Sequence, residues 1–156
     1  HCSEEMAEAE LNATIAAAAV KGISMRSMVF PGGTFGNYES LVKKGFTCYR
    51  KPMKYHIDMC HLDKHGLVSI PSSIGLGRDQ YGWDAKFHLR ILDSFLAAAA
   101  RRRLVCHFWF HPSLDQWYLE NVMPSLLAKI DAYRKRGEVS VMTMGELADE
   151  YLRFKG

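Results

Sequence analysis

The stretch LVCHFWFHP, residues 104–112, constrains this chain more than any other. Residues 104–110 form a short apolar run rich in aromatics, and it stops at His111-Pro112. Proline has no N–H to give to a ladder, so such a run reads as a buried strand entering a loop. Side chains alternate along a strand, which places Cys106, Phe108 and Phe110 on one face and His107, Trp109 and His111 on the other. The first face is apolar and suits packing beneath helices. The second carries two imidazoles and an indole, groups that need polar partners or solvent when buried, and it reads as the wall of a site. Four strand residues span about 13 Å, so the two histidines cannot share one metal as a helical i,i+4 pair can. His111, at the C-terminal lip, is the candidate for chemistry, and His107 lies deeper.

The rest of the chain alternates strands with helices. Ser3 as a cap, Glu4 and Glu5 in the first turn and Gly22 as a stop predict a helix over 3–21. A strand over 27–30 ends at Pro31-Gly32-Gly33. A helix over 37–44 closes on Gly45, and a strand over 46–50 follows. Residues 51–66 read as a loop, and 67–70 as a strand ending at Pro71-Ser72-Ser73. A glycine-rich loop (Gly75, Gly77, Gly82) leads into a helix over 84–102, with Phe87, Ile91, Phe95 and Ala99 as its stripe and His88 on the flank. Beyond the His111 strand, 115–136 is helical with a restart at Pro124, and Leu119, Val122, Leu126, Ile130 and Tyr133 face inward. A strand over 138–142 and a helix over 144–154 complete the pattern. Five strands separated by helices imply an α/β fold with a largely parallel sheet. Three strands end in FPGG, IPSS and FHPS. Ligands of α/β folds sit at strand C-terminal ends, so these loops are expected to converge on one pocket.

Composition narrows the function classes. The 156 residues suit one domain, and a net charge of +3 is too small to imply nucleic acid. No apolar run approaches the ~18 residues of a spanning helix, and no targeting signal is visible. The four cysteines show no CxxC and leave the redox compartment open. His56, Asp58, Cys60, His61, Asp63 and His65 make a cluster tempting for zinc. Its spacing matches neither CxxC nor HExxH, so it reads as a polar loop shielding the pocket.

Residues 27–50, SMVFPGGTFGNYESLVKKGFTCYR, resemble the polysaccharide deacetylase family, the chitooligosaccharide deacetylase type of carbohydrate esterase family 4. Its members have a "yPyG" or "RpPyG" turn after a strand, then a helix, then "GF" or "GY". Here these are Phe30-Pro31-Gly32-Gly33, Leu41 and Gly45-Phe46. His1-Cys2-Ser3-Glu4-Glu5-Met6 with Glu10-Leu11 is similar to the family's metal-binding histidine and the helix after it. The HFWFHP block resembles its late "LxH" strand motif, and VSVMTMGEL (139–147) its terminal strand and helix.

The resemblance implies a fold and a chemistry. The fold is the C-terminal part, about five strands, of a distorted (β/α) barrel, so that 1–156 is a single, N-terminally truncated domain. The reaction is metal-dependent removal of N-acetyl or O-acetyl groups from a poly- or oligosaccharide. A divalent ion, zinc by preference, held by two histidines and an aspartate lowers the pKa of its water to about 7. An aspartate takes the water's proton, and an imidazole on the far wall protonates the leaving group. His1 would be a metal ligand and His111 the general acid. Phe30 and Trp109 would line the acyl pocket beside His107, and Pro31, Gly32 and Gly33 would approach the substrate. The chain departs from the family in having no Asp-Asp pair and no arginine in the FPGG turn, and the general base and part of the metal site have no counterpart in it. Two alternatives stand beside this reading: a non-catalytic carbohydrate-binding or structural relative, and an unrelated metal hydrolase using the 56–65 loop.

Overall fold

The computed structural model describes residues 2–77, 82–113 and 115–155. In chain order the elements are α1 (Glu4–Ala19), β1 (Ser27–Met28), a 3₁₀ turn (Pro31–Gly33), α2 (Tyr38–Lys43), β2 (Cys48–Lys51), β3 (His61–Leu62), β4 (Val68–Pro71), β5 (Ile74–Leu76), α3 (Ala85–Arg102), β6 (Phe108–Phe110), α4 (Gln116–Asn121), α5 (Met123–Lys135) and α6 (Met144–Lys155). The fold is mixed α/β. Among the described residues no barrel is identified, and no helix is long and apolar enough to cross a membrane.

Local chemistry sets the boundaries. The Ser3 hydroxyl accepts from Met6 N at the start of α1, and the Asp84 carboxylate accepts from Phe87 N at the start of α3. Asp115 does the same for Tyr118 N in α4. The helix over 116–135 breaks at Val122 and restarts with Pro124 in the first turn, the one place in a helix where a missing N–H costs nothing.

The chain divides into two compact units. One comprises residues up to Lys51, Cys60–Ile70 and the chain from Met142; the other comprises Pro52–Met59 and Pro71–Val141. In the first, a four-stranded sheet runs in the order β1-β2-β4-β3. β1 and β2 are parallel, with Ser27 opposite Cys48, and β3 and β4 are antiparallel, with Leu62 opposite Val68. Leu11, Leu41, Phe46, Tyr49 and Leu67 form its core. Asp149 of α6 takes both guanidinium N–H groups of Arg26, and the buried Cys48 thiol donates to Met144 O at 3.5 Å.

In the second unit β5 and β6 run parallel, Ile74 opposite Phe108, Gly75 opposite Trp109 and Leu76 opposite Phe110. Its core is Leu92, Leu96, Tyr118, Val122 and Leu126, with Ile74, Leu76, Cys106 and Phe108 packed against it. Fully burying a leucine contributes about 1.5–3 kcal/mol, so Leu92 and Leu126 (2% and 1% exposed) are principal supports of this layer.

Five expectations need correction. Residues 138–142 are not a strand: Val141 and Met142 are exposed, and among the described residues no ladder partner reaches this segment. β-propensity expresses packing on a neighbour and is not sufficient without one. The buried stripe of α3 is His88, Leu92, Leu96 and Ala99, one position round from Phe87, Ile91 and Phe95, which are half-buried. The neighbouring helix likewise buries Tyr118, leaving Leu119 half-buried. Finally, the glycine-rich segment contains β5, and the 51–66 loop contains β3.

Candidate functional site

The site is built from β6 outward. Cys106 and Phe108 lie on the core side of the strand, as its alternation dictates. Trp109 and His111 lie together on the other side, their rings edge-to-face with centroids 5.7 Å apart and planes at 82°. His111 is exposed at the lip, and His107 is half-buried below it.

The register that produces this arrangement is fixed one residue before the ladder. Ser73 N donates to His107 O at 2.8 Å, and the buried Ser73 hydroxyl accepts from His107 N at 3.0 Å. Ser72, also buried, anchors the preceding segment by accepting from Met53 N at 2.9 Å and donating to Met53 O at 3.1 Å. The IPSS segment is thus tied to the N-terminal end of β6, whereas FHPS lies past the strand's other end, so these two loops are not brought together as expected.

The indole of Trp109 lies across the partner strand, over Gly75. A Cβ added at Gly75 would fall 2.8 Å from Trp109 Cζ2. Past the end of β5, a Cβ on Gly77 would lie 3.6 Å from Asp115 Oδ2, so the α4 cap sits against that glycine.

His88 is the residue that the sequence reading assigns wrongly. It is 7% exposed, with its ring 5.3 Å from Tyr118, 5.7 Å from Trp83 and 6.1 Å from Trp117. Its spacing with Ala85, Leu92, Leu96 and Ala99 is a helical stripe, a signal that the bulkier Phe87-Ile91-Phe95 set obscures. Burial pushes the Tyr118 phenol well above the usual range, with the Asp115 charge adding to it. The Cys106 thiol is pushed up to about 12 by burial, so it serves as packing and not as a nucleophile.

The FPGG turn belongs to the first unit. Phe30 is half-buried in an aromatic group, with ring centroids 5.1 Å from Phe35, 5.6 Å from Tyr38 and 5.9 Å from Tyr49. Pro31 and Gly32 are exposed. Gly32 is left-handed (φ 59°), and the Pro31 carbonyl accepts from both Thr34 N and the Thr34 hydroxyl, which closes the turn through Gly33.

The histidine-rich loop spends its polar groups on structure. Asp63 Oδ1 accepts from His65 N and Leu67 N, both at 2.9 Å, forming the β3–β4 turn. His65 Nδ1 lies 3.0 Å from Glu39 Oε1, and its ring stacks on Tyr38 at 4.9 Å. His56 pairs with Asp58 at 3.5 Å. His61-Leu62-Asp63-Lys64-His65 has HxxxH spacing, but it lies on a hairpin, where that spacing does not bring two imidazoles together as it does on a helix.

The chain matches no family model, no curated protein and no solved structure.

The metal that the deacetylase resemblance implies can be tested against the residues. Among those described, no three His, Cys, Asp or Glu side chains come together as a set that could hold an ion. The described residues therefore do not fit a metal centre by themselves. His1, the proposed ligand, lies outside the described residues. What the second unit does provide is an exposed imidazole braced by an indole at a strand lip, an arrangement able to exchange a proton with a bound molecule while an aromatic face packs against it.

Proposed function

We propose that the chain is the acid-bearing part of a polysaccharide deacetylase-like domain, removing acetyl groups from an N- or O-acetylated poly- or oligosaccharide. The fold reading that accompanies this is the C-terminal part of a distorted (β/α) barrel. One observation carries the proposal: the HFWFHP block turns Trp109 and His111 away from the core, edge-to-face, with the imidazole at the exposed C-terminal lip of β6.

Amide hydrolysis has a poor leaving group, because an amine leaves only when protonated. In this reading the His111 imidazolium donates that proton to the leaving nitrogen, a role worth about 10²–10⁴ in rate. Trp109 holds the imidazole's orientation and offers an apolar surface to the acetyl methyl and the sugar C–H groups, with His107 deeper in the same wall. The base and any metal ligands are assigned to residues other than those described.

The test is acetate release from N-acetylated chitooligosaccharide by the full-length gene product, assayed with added Zn²⁺ beside its His111→Ala form. Release by the parent, reduced about 10²-fold or more in the variant, supports the proposal. No release from any acetylated oligosaccharide, with sugar binding retained, overturns it in favour of a non-catalytic carbohydrate-binding role.

A further inference from the structure

Gly75 is unusual among the described glycines. Those at 22, 32, 45, 66, 82 and 137 have left-handed backbones and open space where a side chain would go. Gly75 is the reverse. Its φ lies outside the left-handed region, so any residue could adopt its backbone, yet a Cβ there would meet the Trp109 indole at 2.8 Å (Cζ2), 3.1 Å (Cε2) and 3.3 Å (Cη2). Real Cβ atoms do not approach ring carbons that closely, so the missing side chain is the seat of the indole. The register agrees, since Gly75 and Trp109 are direct partners on β5 and β6. The other side of the indole relation is His111, edge-on at 5.7 Å.

We infer that Gly75 is a positioning residue: it lets Trp109 lie flat across β5, and Trp109 in turn fixes the plane of the His111 imidazole. The indole is rigid and has only two side-chain torsions, so it cannot bend around an added methyl. A Cβ at position 75 displaces the whole ring, and the edge-on contact with His111 goes with it. This inference rests on the reading of His111 as the proton donor for its functional meaning, but its structural content is independent of catalysis. Misplacing a catalytic group by about 1 Å costs about 10²-fold in rate, so a methyl at position 75 would be felt in kcat through His111 and in KM through the displaced apolar face of Trp109.

The experiment reads the His111 ring protons by NMR in the whole chain, with the resonance assigned through His111→Gln. In the parent background Gly75→Ala moves the His111 ring resonances, because the indole ring current at His111 changes. In a Trp109→Leu background the same Gly75→Ala substitution leaves them in place. The His88 ring, buried in the same unit among Tyr118, Trp83 and Trp117, keeps its shifted resonances throughout and reports that the fold persists. A His111 resonance untouched by Gly75→Ala, or moved equally in both backgrounds, overturns the inference. If Gly75→Ala does not fold, the parent protein decides: through-space contacts from the Gly75 α-protons to the indole, and from the indole to His111, support the relay, and their absence overturns it. Acetate release separates this inference from the deacetylase reading. Coupled resonances without turnover retain the relay and remove the catalytic role, whereas turnover without coupling does the opposite.

Discussion

Replacing Ser73 with alanine tests how the second unit holds its register. The Ser73 hydroxyl is buried and accepts the His107 N–H at 3.0 Å, while Ser73 N donates to His107 O at 2.8 Å. The substitution removes one arm of this clamp and leaves a part-buried backbone N–H without its partner. An unsatisfied buried donor costs about 1–3 kcal/mol. Because the group is only part-buried, about 1–2 kcal/mol is expected, or a fall in Tm of about 2–8 °C for a protein of this size. Urea denaturation followed by tryptophan fluorescence measures it, with Ser94→Ala as the control. Ser94 is exposed and only donates to Ile91 O in its own helix, so alanine there is neutral or slightly stabilising. Equal small effects from the two substitutions would refute the claim that Ser73 fixes the strand pair. The consequence goes beyond stability, since a one-residue slip of β6 would turn Trp109 and His111 into the core.

Two further predictions concern titration and reactivity. The hydrogen bond from Arg26 holds the Asp149 carboxyl below its usual 3.8, and that from Lys43 holds Glu4 below its usual 4.5. A lowered carboxylate stabilises the fold above its unfolded pKa and loses that contribution as pH falls through the folded one. Tm is therefore expected to stay level above about pH 5 and fall below about pH 4, with a shallower acid slope in Asp149→Asn; an unchanged slope in that variant contradicts the assignment. Burial pushes the Cys60 thiol up to about 11 and the Cys106 thiol up to about 12, whereas Cys2 is exposed. Iodoacetamide at pH 8 should label Cys2 first and reach the other cysteines only on unfolding; early labelling of Cys106, followed by peptide mapping, would refute its placement in the core.

Much of this arrangement is legible in the residues. The alternation of Cys106, His107, Phe108, Trp109 and His111 separates a core face from a site face, and a strand has only those two faces to offer. The Ser3 cap is read from local chemistry, and the helix starts expected at 84 and 115 coincide with the Asp84 and Asp115 caps. The parts that escape the sequence depend on neighbours. Residues 138–142 have a strand's composition and no strand to lie against. β5 is hidden because Gly75 and Gly77 read as loop, while Gly75 is there to admit the indole of Trp109, which is distant in sequence. The stripe of α3 is ambiguous because Phe87, Ile91 and Phe95 and the set Leu92, Leu96 and Ala99 are both apolar. Only the partner helix decides between them, and the decision buries His88. For the Phe30 turn, the aromatic character is evident in the sequence, but its company of Phe35, Tyr38 and Tyr49 comes from the fold.

Whether His111 delivers a proton to a poor leaving group is decided by comparing two substrates in the His111→Ala protein. An N-acetylated chitooligosaccharide must lose an amine and needs the proton, whereas 4-nitrophenyl acetate loses a stable phenolate and does not. With His111 as the proton donor, the variant loses about 10²–10⁴ in kcat/KM on the amide while hydrolysing the ester nearly as well as the parent. Equal losses on both substrates, or no loss on the amide, would contradict it.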